Sequence, residues 1–196
     1  MSNETQDEAQ EALLKKMDAA ELANHVTHKQ LLPRRRLAKT KGNYPWLSLS
    51  VAVFFIDQLS KGWVSQNIEM GNPLTVNAFI NIVLAYNPGA AFSILADAGG
   101  WQRWFFIILA SIVCMVLIVW IVKMRRGHHT VALALALILG GAAGNLWDRI
   151  EFGYVIDFID VYYQQYHWPA FNVADAAITL GAVILLLDAL FAHPEQ

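Results

Sequence analysis

Apolar residues concentrate in four long stretches of this chain, at about 46–64, 104–123, 130–147 and 171–191. Each is close to the roughly 20 residues that an α-helix needs to cross the hydrocarbon core of a bilayer. What lies between them is patterned differently. Residues 74–86 hold β-branched runs broken by Asn77 and Asn81 and end in Asn87-Pro88-Gly89, a strong turn signal. Residues 90–96 read as a short amphipathic helix with Phe92 and Leu95 on its oily side, lying on the bilayer. Residues 154–158 alternate as a strand. Residues 1–32 are polar and lack Phe, Tyr and Trp, with a T-x-x-E capping pattern at Thr5–Glu8 and a weak helical stripe of Leu13, Leu14, Met17 and Leu22. The pattern predicts an all-α membrane protein: four transmembrane helices, a small extracytoplasmic β-sheet over the helix ends and a short amphipathic surface helix. It divides the chain into a polar extension, 1–42, and a membrane domain, 43–196. The extension reads as a helix or partly disordered tail, either a solvated appendage or a partner-docking segment.

Composition supports a membrane protein. Of the 196 residues 56% are hydrophobic and 15% charged, where soluble domains run nearer a quarter charged, and mean hydropathy is +0.38. A net charge of −2, without a basic patch interleaved with aromatics, gives no case for nucleic acid. The single cysteine, Cys114, lies inside an apolar run and excludes an internal disulfide and a cysteine metal site.

The charges also orient the spans. Arg34, Arg35, Arg36, Lys39 and Lys41 precede the first apolar stretch. They would suit a signal peptide, but the stretch is too long for an h-region and no small-residue cleavage site follows. Lys123, Arg125 and Arg126 fill the link between the second and third stretches, whereas 65–102 and everything after Arg149 contain no Lys or Arg. The positive-inside bias then puts both termini in the cytoplasm. Trp101, Trp104, Tyr162, Tyr163, Tyr166 and Trp168 fall at the outer ends, as an aromatic belt.

Candidate chemistry gathers in 140–160, GGAAGNLWDRIEFGYVIDFID. Ionisable groups at the end of a membrane-grade helix are expensive and call for a function. Gly141, Gly144, Asn145 and Asp148 form one helical stripe, and Gly140 with Gly144 makes a GxxxG that lets another helix approach. Arg149 reads as the partner of a carboxylate, bracing the outer end with Asp148, and Glu151 as a solvated neighbour. Asp57 and Lys61, spaced i, i+4, can neutralise one another. A serine–lysine pair is a poor reading, because Ser60 and Lys61 point about 100° apart on a helix. Asp157 lies among Val155, Ile156, Phe158 and Ile159, surroundings that favour the protonated carboxyl. Asp175 follows Asn172 by three residues on one face of the last span. If the loop folds back so that Asp157 faces Asp175, the pair would share one proton, one member activating water and the other polarising a carbonyl. The residues alone leave three readings open: that dyad, a proton or ion pathway using Asp57, Lys61, Asp148 and Asp175, and a structural polar cluster. Asp160 competes for the catalytic role, Asp188 lies on the wrong side, and His128, His129 and His193 form no metal-ligand set, so no metal is expected.

Five segments, in order, resemble the bacterial lipoprotein signal peptidases (signal peptidase II), four-span aspartic peptidases of the inner membrane. They are Asp57-Gln58-Leu59-Ser60-Lys61, Asn87-Pro88-Gly89-Ala90-Ala91-Phe92, 140–149, Val155-Ile156-Asp157-Phe158 and Phe171-Asn172-Val173-Ala174-Asp175. The resemblance covers about 44–192. It implies removal of signal peptides from diacylglyceryl-modified prolipoproteins, cut before the lipidated cysteine, without a cofactor. It puts Asp157 and Asp175 at the catalytic positions. Asn87, Asn145, Arg149 and Asn172 fall where the family holds the substrate backbone and orders the site, with Asp57, Lys61, Asp148 and Gly141 in support. The implied partners are prolipoprotein, membrane lipids and globomycin-like inhibitors; the expected form is a monomer in the inner membrane with its site on the periplasmic side. The 90–96 helix around Phe92 would serve as a lid. The extension is longer than the family's usual start, and the resemblance assigns it no role.

Overall fold

The computed structural model describes residues 43–89, 99–125 and 127–191, together with Glu8, Ala12, Lys15 and Lys16. The chain divides into two compact units, Met1–Thr40 and Lys41–Gln196. In the first, the four described residues are helical and exposed. The remainder of the N-terminal extension and the expected 90–96 helix lie outside the described residues.

The second unit is built on four long helices. Pro45 sits in the first turn of α1 (Tyr44–Asn67), where the N–H it lacks would have no helical partner. Asn43, just before it, donates from Nδ2 to the carbonyls of Met124 and Arg125, 3.3 Å each, which ties the start of α1 to the end of α2 (Trp101–Lys123). The buried residues of α1 are Ser50, Val53, Asp57, Lys61 and Val64, a stripe spaced by three and four, while Phe55, Ile56, Leu59 and Trp63 are exposed. Charge inside and oil outside invert the pattern of a soluble helix. Among the described residues, three helices are long and apolar enough to cross a membrane: α2, α3 (His129–Glu151) and α4 (Val173–Phe191). The polar stripe on α1 keeps it out of that set. All four run past or short of their apolar stretches by a few residues, because hydrogen bonding and capping, not hydropathy, end a helix.

Helix α3 is the central one. Its apolar window is 50% buried, against 17% for α2 and 11% for α4, and it packs on each of the other three. Its glycines explain the closeness. A Cβ on Gly140 would lie 2.6 Å from the Ser50 carbonyl oxygen and 2.7 Å from the Val53 Cβ, on α1. A Cβ on Gly141 would run into the carbonyl oxygen of Ala174, on α4. Gly140→Ala should therefore push α1 off α3 and destabilise the protein by about 1–3 kcal/mol, the usual penalty of overpacking. Thermal unfolding in detergent measures it, and an unchanged midpoint would mean the helices are not this close. At the other end of α3, Arg103 donates from Nε to the Arg149 carbonyl (2.9 Å) and from Nη2 to that of Ile150 (2.8 Å), capping carbonyls that the helix leaves unpaired.

A four-stranded antiparallel sheet follows the order β1 (Leu74–Thr75), β2 (Ile80–Asn87), β3 (Val155–Tyr163), β4 (Tyr166–His167). Strand β3 is longer than the expected 154–158. Its pairing to β2 slips between Ile82↔Ile159 and Ala85↔Asp157, one extra residue on β2, a bulge that bends the strand beside Asp157. Leu84, Ile156 and Phe158 pack on Val64 and Ile68 at the end of α1, which seats the sheet on the bundle. The lead-in to α4 is stapled to β3. The Ile159 N–H donates to the Phe171 carbonyl (2.7 Å) and the Phe171 N–H to the Ile159 carbonyl (3.1 Å). That bridge carries Asn172, the next residue, to Asp157.

Candidate active site

Asn172 and Asp175 cap α4 reciprocally. The Asp175 N–H donates to Asn172 Oδ1 (2.8 Å), and the Asn172 N–H donates to Asp175 Oδ2 (3.3 Å). This is the geometry of a capping box, and it also places a carboxylate at the positive end of the helix dipole. The other side of the Asn172 amide reaches β3: Nδ2 donates to Asp157 Oδ1 (2.7 Å), to the Ile156 carbonyl (3.2 Å) and to Asn145 Oδ1 (3.2 Å). One fully buried asparagine thus touches both aspartates.

Asp157 is 3% exposed. Its Oδ2 accepts from Asn87 Nδ2 (3.1 Å), whose own Oδ1 accepts the Gly89 N–H (3.0 Å), so the Asn-Pro-Gly turn aims that donor. Burial first, and the charge of Asp175 second, push the Asp157 carboxyl up to about 7; the hydrogen bonds from Asn87 and Asn172 and the Lys61 charge oppose them. Asp157 therefore holds a proton under conditions where an ordinary carboxyl has lost it. Asp175, half-buried, accepts on Oδ1 from Asn145 Nδ2 (2.7 Å).

Below the aspartates lies a buried charge cluster. Lys61 Nζ stands 2.7 Å from Asp57 Oδ2, 2.8 Å from Asp148 Oδ2 and 3.0 Å from Asn145 Oδ1. Gln58 Nε2 donates to Asp148 Oδ1 (2.8 Å) and Asp57 Oδ2 (3.2 Å). Each carboxylate also grips a backbone N–H one residue before a candidate catalytic aspartate: Asp57 Oδ1 accepts from Ala174 (2.9 Å), and Asp148 Oδ2 from Ile156 (3.2 Å). A Cβ on Gly144 would lie 2.5 Å from Asp57 Oδ2, so only glycine leaves room for this arrangement.

The expected pairing of Asp148 with Arg149 is corrected. Neighbouring residues on a helix do not face each other. Asp148 turns to α1, while Arg149 turns to the 87–89 turn, donating from Nη2 to the Gly89 carbonyl (2.8 Å) and from Nη1 to that of Asn145 (3.1 Å), 5.1 Å from the Phe106 ring centroid. Asp160 is engaged elsewhere, accepting from Asn81 Nδ2 (3.0 Å) and contacting His167 Nδ1 (2.9 Å). Glu151 is exposed, and Gly141 contributes packing and no polar contact to the cluster. Among the described residues no group of three or more His, Cys, Asp or Glu could hold a metal. Two features escaped the sequence reading: the bridging role of Gln58, for which a lone glutamine gives no signal, and the capping box, which the spacing of Asn172 and Asp175 did signal.

Chemically, the site offers a proton-holding carboxyl and a second, more open carboxylate, with the amides of Asn87, Asn145 and Asn172 donating to them. Such a pair can take a proton from water and give one to a carbonyl oxygen.

Comparison with known proteins agrees in kind. A family model described as signal peptidase (SPase) II matches residues 49–191. The lipoprotein signal peptidase of Cellvibrio japonicus (strain Ueda107) is 52% identical over 151 residues, 77% of this chain and 88% of that protein. That of Acinetobacter baumannii (strain AB307-0294) is 49% identical over 154 residues, 79% and 88% respectively. Two structures of bacterial membrane enzymes solved by the in meso method, at 2.3 and 1.9 Å, superpose with TM-scores of 0.68 and 0.66 at 31% and 30% identity. They cover 78% and 76% of this chain, and 93% and 94% of their own.

Proposed function

Because the chain belongs to the signal peptidase II family, and so to the aspartic-type peptidases, we propose that it removes signal peptides from diacylglyceryl-modified prolipoproteins with Asp157 and Asp175 as its catalytic pair. The observation that carries the mechanism is Asn172, which hydrogen-bonds both aspartates and brings α4 and β3 together at one point. A water between the carboxylates attacks the scissile carbonyl carbon. Asp175 takes the water proton while Asp157 gives its own to the carbonyl oxygen. The tetrahedral species then collapses: Asp175 gives its proton to the amine nitrogen of the lipidated cysteine as the C–N bond breaks, and Asp157 takes back a hydroxyl proton as the carboxyl group forms, which restores the starting pair. Asn87 and Asn145 orient the two carboxylates, and Arg149 holds the turn beside them, where a substrate backbone would lie.

The exposed apolar surface of the helices and the charge bias of the connecting segments support a membrane setting. Helix α1 is the fourth span, its charges satisfied inward, so that the 43–196 domain crosses the inner membrane four times with both termini cytoplasmic and the aspartates on the periplasmic side. The 1–42 extension stays in the cytoplasm, and the enzyme works as a monomer that globomycin-like peptides inhibit. The test is cleavage of a diacylglyceryl prolipoprotein by the purified protein in lipid, followed as a gel shift, with the unlipidated precursor as control. Only the lipidated form should shift. The same assay gives the pH dependence. The Asp157 proton is lost above about 7, so kcat/KM should fall about tenfold per pH unit on that side. Stability has the same sign: the folded carboxyl binds a proton more tightly than its ordinary value of 3.8, so its contribution is present below 3.8 and lost as pH rises through 7. Cleavage that goes on rising to pH 9 would remove Asp157 as the acid.

A further inference from the structure

Lys61 contacts neither aspartate of the pair, yet the cluster it centres is wired to one of them. Its Nζ lies 3.0 Å from Asn145 Oδ1, on the side of that amide away from Asp175. An amide has one acceptor end and one donor end. With the acceptor end facing an ammonium, the donor end is left to Asp175, which it meets at 2.7 Å. The reverse orientation would set the Asn145 NH₂ against Lys61 and its oxygen against the Asp175 carboxylate, two repulsive contacts in a buried site. Lys61 is itself fixed: it is 2% exposed, and Asp57 and Asp148 hold its remaining protons at 2.7 and 2.8 Å. The charged groups around the pair are Asp57 and Lys61 from α1 and Asp148 and Arg149 from α3, and of these cations it is Lys61 that meets the Asn145 side chain.

We propose that Lys61 is a positioning residue for peptide cleavage, acting through the Asn145 amide, whose oxygen it holds together with the Asn172 Nδ2 donor at 3.2 Å, so that Asn145 donates to Asp175. The inference rests on the dyad reading and adds to it a reason for a fully buried lysine in a membrane helix. Removing the lysine alone would strand two buried carboxylates, so the informative variant is Lys61→Met/Asp148→Asn, which removes one charge of each sign and keeps an acceptor for the Ile156 N–H.

The test is a cycle of three proteins: Lys61→Met/Asp148→Asn, Asn145→Ala, and the triple variant, each assayed for kcat and KM on a diacylglyceryl prolipoprotein and for thermal unfolding in detergent. A folded double variant should lose about 100-fold in kcat, on the scale of a misplaced acid–base group, with KM within about threefold. Asn145→Ala, which leaves the ion cluster intact, should lose a similar amount. The triple variant should be no more than about threefold worse than Asn145→Ala, because the two changes cut one wire. Multiplying losses, a double variant with normal kcat, or an effect on KM alone would each overturn the proposal. If the double variant does not fold, Asp57→Asn is added to it so that no charge of the cluster is left unpaired, and the same readout decides: unchanged kcat overturns the proposal, and a kcat loss at constant KM sustains it. Asp157→Asn and Asp175→Asn in the same assay separate this outcome from failure of the dyad, since activity in either of those removes the premise and not the wire.

Discussion

Replacing Asp157 or Asp175 by asparagine is expected to abolish cleavage, lowering kcat by about 10⁴-fold or more, because each change removes an acid–base group that the other cannot replace. The substitution is nearly isosteric, but it is not neutral to the surroundings. Both oxygens of Asp157 accept amide hydrogens, from Asn172 and Asn87; an asparagine there has one acceptor and must turn its NH₂ towards one of those donors. Asp175 faces the same conflict between Asn145 Nδ2 and the Asn172 N–H. Each variant should therefore lose about 1–3 kcal/mol for a buried polar group left unpaired, too little to unfold the protein and far too little to explain complete loss of turnover. Gel-shift cleavage and a thermal melt on the same preparation separate the two effects. A folded variant that still cuts at more than a few percent of the parent rate would sink the pair.

The charge cluster shows what the amino-acid sequence could and could not disclose. That Asp57 and Lys61 would pair was legible, since i, i+4 is a geometric consequence of the helix, and they meet at 2.7 Å. That Asp148 would join them was not. Periodicity tells which residues share a face of α3, but it does not tell which neighbouring helix that face meets, and the adjacent Arg149 was a closer partner in sequence than Lys61. The strand after α3 was underestimated for a related reason: its continuation to Tyr163 is set by pairing, Asp160 with Asn81 on β2, Tyr162 with His167 on β4 and Ile159 with Phe171, and not by alternation of its own residues. The nearness of Asn172 to Asp157 depends on that Phe171 bridge, a tertiary contact that no local pattern carries.

The same geometry explains why a polar site can stand at the end of an apolar bundle. No water reaches Asp57, Lys61, Asp148 or Asn172, each 2% exposed or less, so each must be satisfied from within. The cluster satisfies them by using carboxylates to cap backbone: Asp57 takes the Ala174 N–H at the start of α4, Asp148 takes the Ile156 N–H of β3. Fold and site are in that sense one network, since the groups that dock α4 onto α1 and the sheet onto α3 are bonded directly to the residues preceding Asp175 and Asp157.

Lys61→Met without a compensating change is the strongest test of that network. The side chain is close in length, so the loss is the charge. Asp57 and Asp148, 0% and 1% exposed, would share a dry site with only the Gln58 amide between them. Breaking a buried ion pair from one side costs about 3–5 kcal/mol, because the remaining charge is still out of water, and here two carboxylates remain. For a protein of this size that is a fall of about 6–20 °C in unfolding midpoint. Lys61→Met/Asp148→Asn, with one charge of each sign gone, should recover part of the difference: the repulsion between two unpaired carboxylates is removed and an asparagine at 148 still accepts from Ile156, while Asp57 keeps the Ala174 N–H but has lost its cation. The pair of melts is the discriminating measurement. If the single variant is as stable as the double, the buried lysine is not what holds these carboxylates, and their grip on α4 and β3 must have another source.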